Sequence, residues 1–335
     1  VFNWKQFCDD HRIHYVTNGP NTKAGEISIR CPACGDDDPS QHLGLNLKTG
    51  KWGCWRNHAH RGIRPHRLIM RLLGCSFEVA DGFVTGGREL SNFDRMAQEF
   101  LQATASRQND LTLEFPDEFK PLTDKGRGHV YVQYLRDRSF SERAAVVVSS
   151  RFNLMYCDRG YWRGRIIFPI WYMSELVSWT GRTIYRSEEL RYMSLSDKEP
   201  KFETRDPQPL ALMNVKNLVW NFDDIVSERW RVVAVVEGPM DAIKTDYYGY
   251  EHGIRAICLF GTGITGHQKL LLEEVRECCD ELIIIPDAGA LANEMDLKSA
   301  LVHLRPKVLR VPTGVEDPGA FTKKSFTQVF KAFLH

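Results

Sequence analysis

The spacing of apolar residues changes character along this chain, and each change marks a class of element. In the last third the apolar residues come in short unbroken runs. Val232-Val233-Ala234-Val235-Val236 is the clearest, and further runs follow at 255–259, 282–286 and 307–311. Between them lie stretches of helical period at 240–248, 267–279 and 290–303. Unbroken strands alternating with helices predict a parallel sheet of the doubly wound α/β type. Near the N-terminus the pattern alternates instead. Leu43-Gly44-Leu45-Asn46-Leu47 reads as a half-buried strand, Lys48-Thr49-Gly50 as a hairpin turn and Lys51-Trp52-Gly53-Cys54 as the returning strand. Pro65–Leu73 is amphipathic with helical period and is closed by Gly74.

The middle of the chain mixes both patterns. Residues 129–136 look helical, and Ser141-Glu142-Arg143-Ala144 reads as a helix start. Tyr161–Ile170 and Leu176–Ile184 read as two strands, paired as a hairpin. A helix is expected at Phe93–Ala105, and the polar stretch 106–125, with Pro116 and Pro121, reads as a linker. The expected layout is a zinc ribbon in 1–80, a linker in 81–125, a basic mixed α+β subdomain in 126–230 and a parallel-sheet subdomain in 231–335. The whole is α/β, or α+β taken together.

The apolar runs of the last third end on carboxylates. Glu237 follows the first run and precedes the turn Gly238-Pro239, and Asp287 follows the run Leu282-Ile283-Ile284-Ile285-Pro286. Ligands of open parallel sheets gather beyond the carboxyl ends of the strands. Two carboxylates there predict a Mg²⁺ site for phosphate chemistry. Gly261-Thr262-Gly263-Ile264-Thr265-Gly266 invites a phosphate-loop reading, but His267-Gln268 replaces the Lys-Ser/Thr pair that such a loop needs. A nucleotide-hydrolysing motor is therefore excluded.

Metal-ligand spacing is concentrated near the N-terminus. Cys31 and Cys34 form a Cys-x₂-Cys knuckle, followed after nineteen intervening residues by Cys54 and then by His58. Thiolates and an imidazole at this spacing predict a structural zinc site. His58 is the expected fourth ligand, with His60 the alternative. Arg61, Arg64, Arg67 and Arg71 place a basic cluster beside it. In the middle segment Arg163, Arg165, Arg182 and Arg191 alternate with aromatics such as Tyr192, the combination a single-strand groove uses for phosphates and bases.

Composition narrows the classes. The 335 residues allow two or more domains, and 43% hydrophobic with 26% charged residues is the balance of a soluble globular chain. No apolar run reaches the roughly 18 residues of a membrane span and nothing resembles a signal peptide, so no membrane partner is expected. The net charge of +1 leaves any nucleic-acid contact to local patches. Nine cysteines without a secretory signal point to reduced thiols and a metal site.

Together these residues resemble the bacterial and phage DnaG-type primases. Cys31 through Phe77-Glu78-Val79-Ala80 is similar to the family's zinc-binding domain, with Cys54-x₃-His58 where the family usually has a second Cys-x₂-Cys. Tyr161–Ile170 with Thr180-Gly181-Arg182 resembles its basic, template-gripping subdomain. Val236–Asp241 and Leu259–Thr265 resemble its Toprim fold, and Val311–Pro318 its closing motif. By position Glu237 matches the Toprim glutamate and Asp241 the aspartate one helical turn on. Asp287 matches the first aspartate of the Asp-x-Asp motif, and Asp317 that of the closing motif. An alternative register puts Asp287 on the second aspartate and Ile285 on the first. Gly289 and Gly319 stand where the family has further aspartates, which weakens a site for a hard cation. Glu294, Asp296 and Glu316 are the nearby acids available to compensate.

The resemblance implies RNA primer synthesis on a single-stranded DNA template from ribonucleoside triphosphates. It implies structural Zn²⁺, and a catalytic centre of Glu237, Asp241, Asp287 and Asp317 on which Mg²⁺ or Mn²⁺ is held. It further implies a replicative helicase, in trans or on a further C-terminal segment, and the cytoplasm of a bacterial or phage-infected cell. Two other readings remain: a catalytically weakened relative that binds single strands and recruits replication proteins, and another Toprim enzyme such as a nuclease.

Overall fold

The computed structural model describes residues 1–35, 40–75, 77–85, 112–123, 125–199, 206–261, 263–289 and 291–334. They form two compact units, Val1–Thr112 with Met173–Glu175, and Leu113–Tyr172 with Leu176–His335.

The first unit is a five-stranded antiparallel meander flanked by helices. Its strands are β1 Tyr15–Val16, β2 Glu26–Ile29, β3 Leu43–Asn46, β4 Trp52–Cys54 and β5 Arg61–Gly62, in that spatial order. The hairpin falls where the alternation predicts, with Leu43 opposite Cys54 and Leu45 opposite Trp52. Asn46 Oδ1 accepts the Lys48 and Thr49 N–H groups and so shapes the turn. Ile27, Ile29, Leu43 and Leu45 are buried with Trp4 and Phe7 of the helix Trp4–Asp10, and with Leu68 and Ile69 of the helix His66–Leu73. Gly74 ends the latter helix in the left-handed region at φ 59°. Arg67 does not join a solvent-facing basic cluster. It is 2% exposed, donates to the Ala59 carbonyl at 3.1 Å and lies over the Trp52 ring.

The second unit carries two sheets. The first contains β6 Phe119–Pro121, β7 Met155–Cys157, β8 Arg165–Tyr172, β9 Glu175–Thr183 and β10 Tyr192–Ser194, in the order β10-β9-β8-β7-β6. β6 and β7, β7 and β8, and β9 and β10 pair antiparallel. β8 starts at Arg165, four residues later than the apolar pattern predicts. Gly160 and Gly164 adopt φ 68° and 74°, and the chain turns there instead. β6 lies inside the expected linker, because Phe119 packs edge-on against Trp162 and Trp179 at 6.1 and 5.3 Å between centroids. An edge strand tolerates Pro121. The helix expected at 93–105 and most of the expected linker lie outside the described residues.

The other sheet is the parallel one. β11 Trp230–Val236, β12 Ile254–Cys258, β13 Cys279–Ile284 and β14 Lys307–Val308 are ordered β12-β11-β13-β14, all parallel. Helices Pro239–Gly249, Gly266–Glu277 and Leu291–Ala300 alternate with them. β11 is central and both of its faces are buried, which explains its unbroken apolar run. Gln268 closes a capping box with Thr265 and donates to the Leu218 and Leu259 carbonyls at 2.8 and 3.0 Å. The glycine-rich segment therefore leads into a helix cap. Beneath the sheet Arg255, 2% exposed, pairs with Asp246 and Asp224.

Gly164→Ala tests the turn before β8. Its left-handed φ costs an L-residue about 1–2 kcal/mol, and the added Cβ would meet Tyr185 Cε2 at 2.2 Å. Urea unfolding should place the variant below the parent by at least that amount.

Candidate active site and metal centre

The metal centre is built on two turns. After β2, the N–H groups of Cys34 and Gly35 both donate to the Cys31 carbonyl, at 3.2 and 3.1 Å, which folds the two thiols to one side. After β4, the Cys54 N–H donates to the His60 carbonyl at 2.8 Å, and Asn57 accepts the His60 and Ala59 N–H groups. This turn returns the chain at His60. His58 sits on its outer side and is exposed, so the expected fourth ligand is replaced by the residue two positions on.

The donor atoms of Cys31, Cys34, Cys54 and His60 all lie within 4.8 Å of one another. His60 Nδ1 is 3.5 Å from Cys31 Sγ and 3.4 Å from Cys34 Sγ, and Cys34 Sγ is 3.8 Å from Cys54 Sγ. A tetrahedral zinc site with metal bonds of about 2.0–2.3 Å has edges of about 3.5–3.8 Å. The Cys31 hydrogen bond pulls Cys54 toward the thiolate, while that bond and burial push Cys31 up. The geometry fits zinc.

The second site lies beyond the carboxyl ends of β11, β12 and β13. Glu237 directly follows β11, and its carboxylate accepts the Asp287 N–H. Asp287 lies past the end of β13, and the Ala288 N–H donates to the Glu316 carbonyl at 2.7 Å. That bond brings the Asp317 loop alongside. A small, partly open pocket lies at this edge, lined by Glu237, Gly261, Pro286, Glu294 and Leu297 among others. Asp241 sits in the first turn of helix Pro239–Gly249. Its Oδ2 accepts the Gly238 N–H at 3.0 Å and its Oδ1 the Gly319 N–H at 2.9 Å.

Two oxygens are left over. Asp287 Oδ1 and Asp317 Oδ1 are buried without a hydrogen-bond partner. Burial, then the neighbouring Glu237 and Asp317, push Asp287 up to about 6. Burial, then Asp317 and Asp287, push Asp241 up to about 7. Burial also raises Glu237. Crowded, underbonded carboxylates of this kind fit a divalent cation, which would supply the missing ligation and offset the repulsion. Among the described residues only the cysteine–histidine set has its donors all within 4.8 Å, so the carboxylates stand further apart as a group.

Of the compensating acids, Glu294 lines the same pocket as Glu237 but is paired with Arg310 through two bonds of 3.0 and 3.2 Å, while Asp296 and Glu316 are exposed. Gly289 has φ 82°, a conformation that favours glycine over aspartate.

The expected nucleic-acid residues separate into three groups. Arg163 and Arg191 are exposed, as a groove requires. Arg165 is 7% exposed and pairs with Glu188 at 2.9 Å, donating also to the Gly181 carbonyl at 3.1 Å, so it holds its own sheet together. Arg182 and Tyr192 face the carboxylate site. Tyr192 hydroxyl accepts from Arg182 Nη1 at 2.8 Å and from the Met240 N–H at 3.4 Å.

Arg138, absent from the sequence-based set, joins them. Tyr134 hydroxyl accepts from both Arg182 Nε and Arg138 Nε, at 2.7 and 3.1 Å. A Cβ built at Gly319 would lie 3.6 Å from Arg138 Nη1 and 3.1 Å from Asp317 Oδ1. Lys244, fully buried, donates to the Arg138 carbonyl and sits 3.7 Å over the Phe140 ring. Burial pushes its ammonium down to about 8. Among the described residues neither Arg138 nor Arg182 has a carboxylate partner in an ion pair. In sequence, Arg138 follows Arg136-Asp137 at a helix end and looks like ordinary surface charge.

Neither a protein-family model nor a curated protein matches the chain. Among solved structures it is similar to a DnaG catalytic core, at 19% identity over 62% of this chain and 73% of that one, with a TM-score of 0.46. It is similar to a DnaG primase catalytic domain bound to ssDNA, at 18% identity over 63% and 74%, with a TM-score of 0.46. It is also similar to the primase fragment of the bacteriophage T7 primase-helicase protein, at 10% identity over 69% and 85%, with a TM-score of 0.40.

Metal analysis checks the first centre. The parent should carry about one zinc per chain; His60→Ala should lose it and His58→Ala should keep it. A pH series checks the second. Asp241 and Asp287 have folded-state values above their unfolded ones, so their stabilisation is complete below about pH 4 and is lost as pH rises through about 6–7. In chelator the melting temperature should fall across that window. Asp287→Asn should flatten the fall, and Mg²⁺ should restore the loss.

Proposed function

We propose that the protein is a DNA primase: a Toprim-type nucleotidyltransferase that makes RNA primers on single-stranded DNA. The observation that carries this reading is the meeting at Gly319. There the partnerless oxygen of Asp317 and the guanidinium of Arg138 both approach the place a Cβ on Gly319 would take, with Glu237, Asp287 and Arg182 grouped about the same strand ends. Anions for a divalent cation and cations for phosphates, side by side, suit a nucleoside triphosphate.

Glu237, Asp287 and Asp317 would hold Mg²⁺ or Mn²⁺, which would supply Lewis-acid stabilisation of developing negative charge. Arg138 and Arg182, aligned by Tyr134 and Tyr192, hold the polyphosphate and draw off its charge. A primer 3′-hydroxyl attacks the α-phosphate; its proton passes to solvent, the α–β phosphoanhydride bond breaks, and pyrophosphate leaves on the guanidinium side. Positioning supplies much of the rate. Arg163 and Arg191 take template phosphates, and the half-exposed rings of Tyr161 and Tyr185 offer stacking faces. In the zinc unit, Lys23 lies 3.9 Å over the exposed Trp55 ring, a second cation–ring pair for a single strand. A replicative helicase, in trans or on a further segment, is the partner in this reading, and the cytoplasm its place.

Ribonucleotide incorporation on single-stranded templates tests it, with Mg²⁺ and Mn²⁺ compared. Glu237→Gln should lower the rate by about 10²-fold or more. Arg138→Ala should raise the triphosphate KM by about tenfold, with a smaller effect on kcat. Full activity in Glu237→Gln would sink the site assignment. Strand cleavage without primer products would support a nuclease. DNA binding in chelator, with no products under any metal, would support a recruiting module.

A further inference from the structure

Asp241 differs from the acids around it. Asp287 and Asp317 each leave a buried oxygen without a partner, whereas both oxygens of Asp241 are satisfied by backbone. The two donors come from different segments. Gly238 belongs to the turn that directly follows Glu237. Gly319 belongs to the loop that carries Asp317, and is 78 residues away in sequence. Asp241 itself is only 8% exposed. Its carboxylate therefore bridges the two pieces of backbone that present Glu237 and Asp317.

Gly319 is the complement of this bridge. A Cβ there would lie 2.6 Å from Asp241 Oδ1, closer than real Cβ contacts come. A side chain at 319 would crowd the Asp241 carboxylate where it meets the Gly319 N–H.

We infer that Asp241 is a positioning residue rather than a cation ligand. Its bridge sets the spacing of Glu237 and Asp317. This rests on the reading of Glu237, Asp287 and Asp317 as the cation site. Outer partners of metal ligands alter affinity by about 10–100-fold while leaving the ligand count intact.

Mn²⁺ titration of the full chain, by electron paramagnetic resonance, separates the two roles. Asp241→Ala should bind the same number of ions at saturation as the parent, about tenfold more weakly. Asp317→Ala should bind fewer. Gly319→Ala should weaken binding in the parent background and add little in the Asp241→Ala background, because the carboxylate it displaces is already gone. Thermal unfolding in chelator should show the same non-additivity, since the bridge does not require the ion. Loss of an ion in Asp241→Ala, or additive effects of the two substitutions, would overturn the inference. A parent that binds Mn²⁺ with these couplings but makes no primers would refute the primase reading and leave the bridge standing. A parent that binds no Mn²⁺ would refute the cation site, and with it the inferred role of Asp241 there.

Discussion

Three acidic side chains at the end of a dry parallel sheet repel one another, and the surrounding backbone is arranged to hold them together. The Asp287 N–H supports Glu237, the Ala288 N–H ties its loop to Glu316, and Asp241 takes N–H groups from Gly238 and Gly319. Each is a charge-bearing or loop-closing hydrogen bond in a place where water does not compete well. Burial, and after it the neighbouring carboxylates, raises the affinities of Asp241 and Asp287 for protons. A divalent cation would resolve the same tension that protonation resolves, which makes metal affinity and pH dependence two measures of one site.

The cationic side follows the same logic in reverse. Arg138 and Arg182 share one acceptor, the Tyr134 hydroxyl, in place of a carboxylate. Tyrosines orient guanidiniums without neutralising them, so positive charge remains available for an incoming anion. Arg165, on the neighbouring strand, has its charge matched by Glu188 and its donors taken by carbonyls. The difference between Arg138 and Arg182 on one hand and Arg165 on the other is thus the identity of their acceptors.

In the first unit the metal centre joins two turns, and sulfur and nitrogen edges of 3.4–3.8 Å leave room for one tetrahedral ion. Trp4, Leu43, Leu45 and Leu68 give this unit a small core, and metal ligation adds cross-links between its strands. His60 Nε2 is buried without a partner, so in this structure the ring is fixed from the metal side.

The sequence alone determined the elements whose period is local. The parallel strands, their intervening helices, the 43–54 hairpin and the three cysteines were legible, because burial on both faces, alternation and turn chemistry leave marks in neighbouring residues. So were Glu237 and Asp287, which stand where apolar runs stop. Tertiary structure decided the rest. His60 displaced His58 because a turn closed by the Cys54–His60 backbone bond sets which ring points inward. Arg165 and Arg182, alike in pattern, parted company according to the acceptors that distant strands brought to them. Arg138 joined the site from a helix end with no local signal, and Asp241 took on its bridge because Gly319 folds back across 78 residues to meet it. Such roles depend on which groups meet in space, and residue spacing along one chain does not encode that.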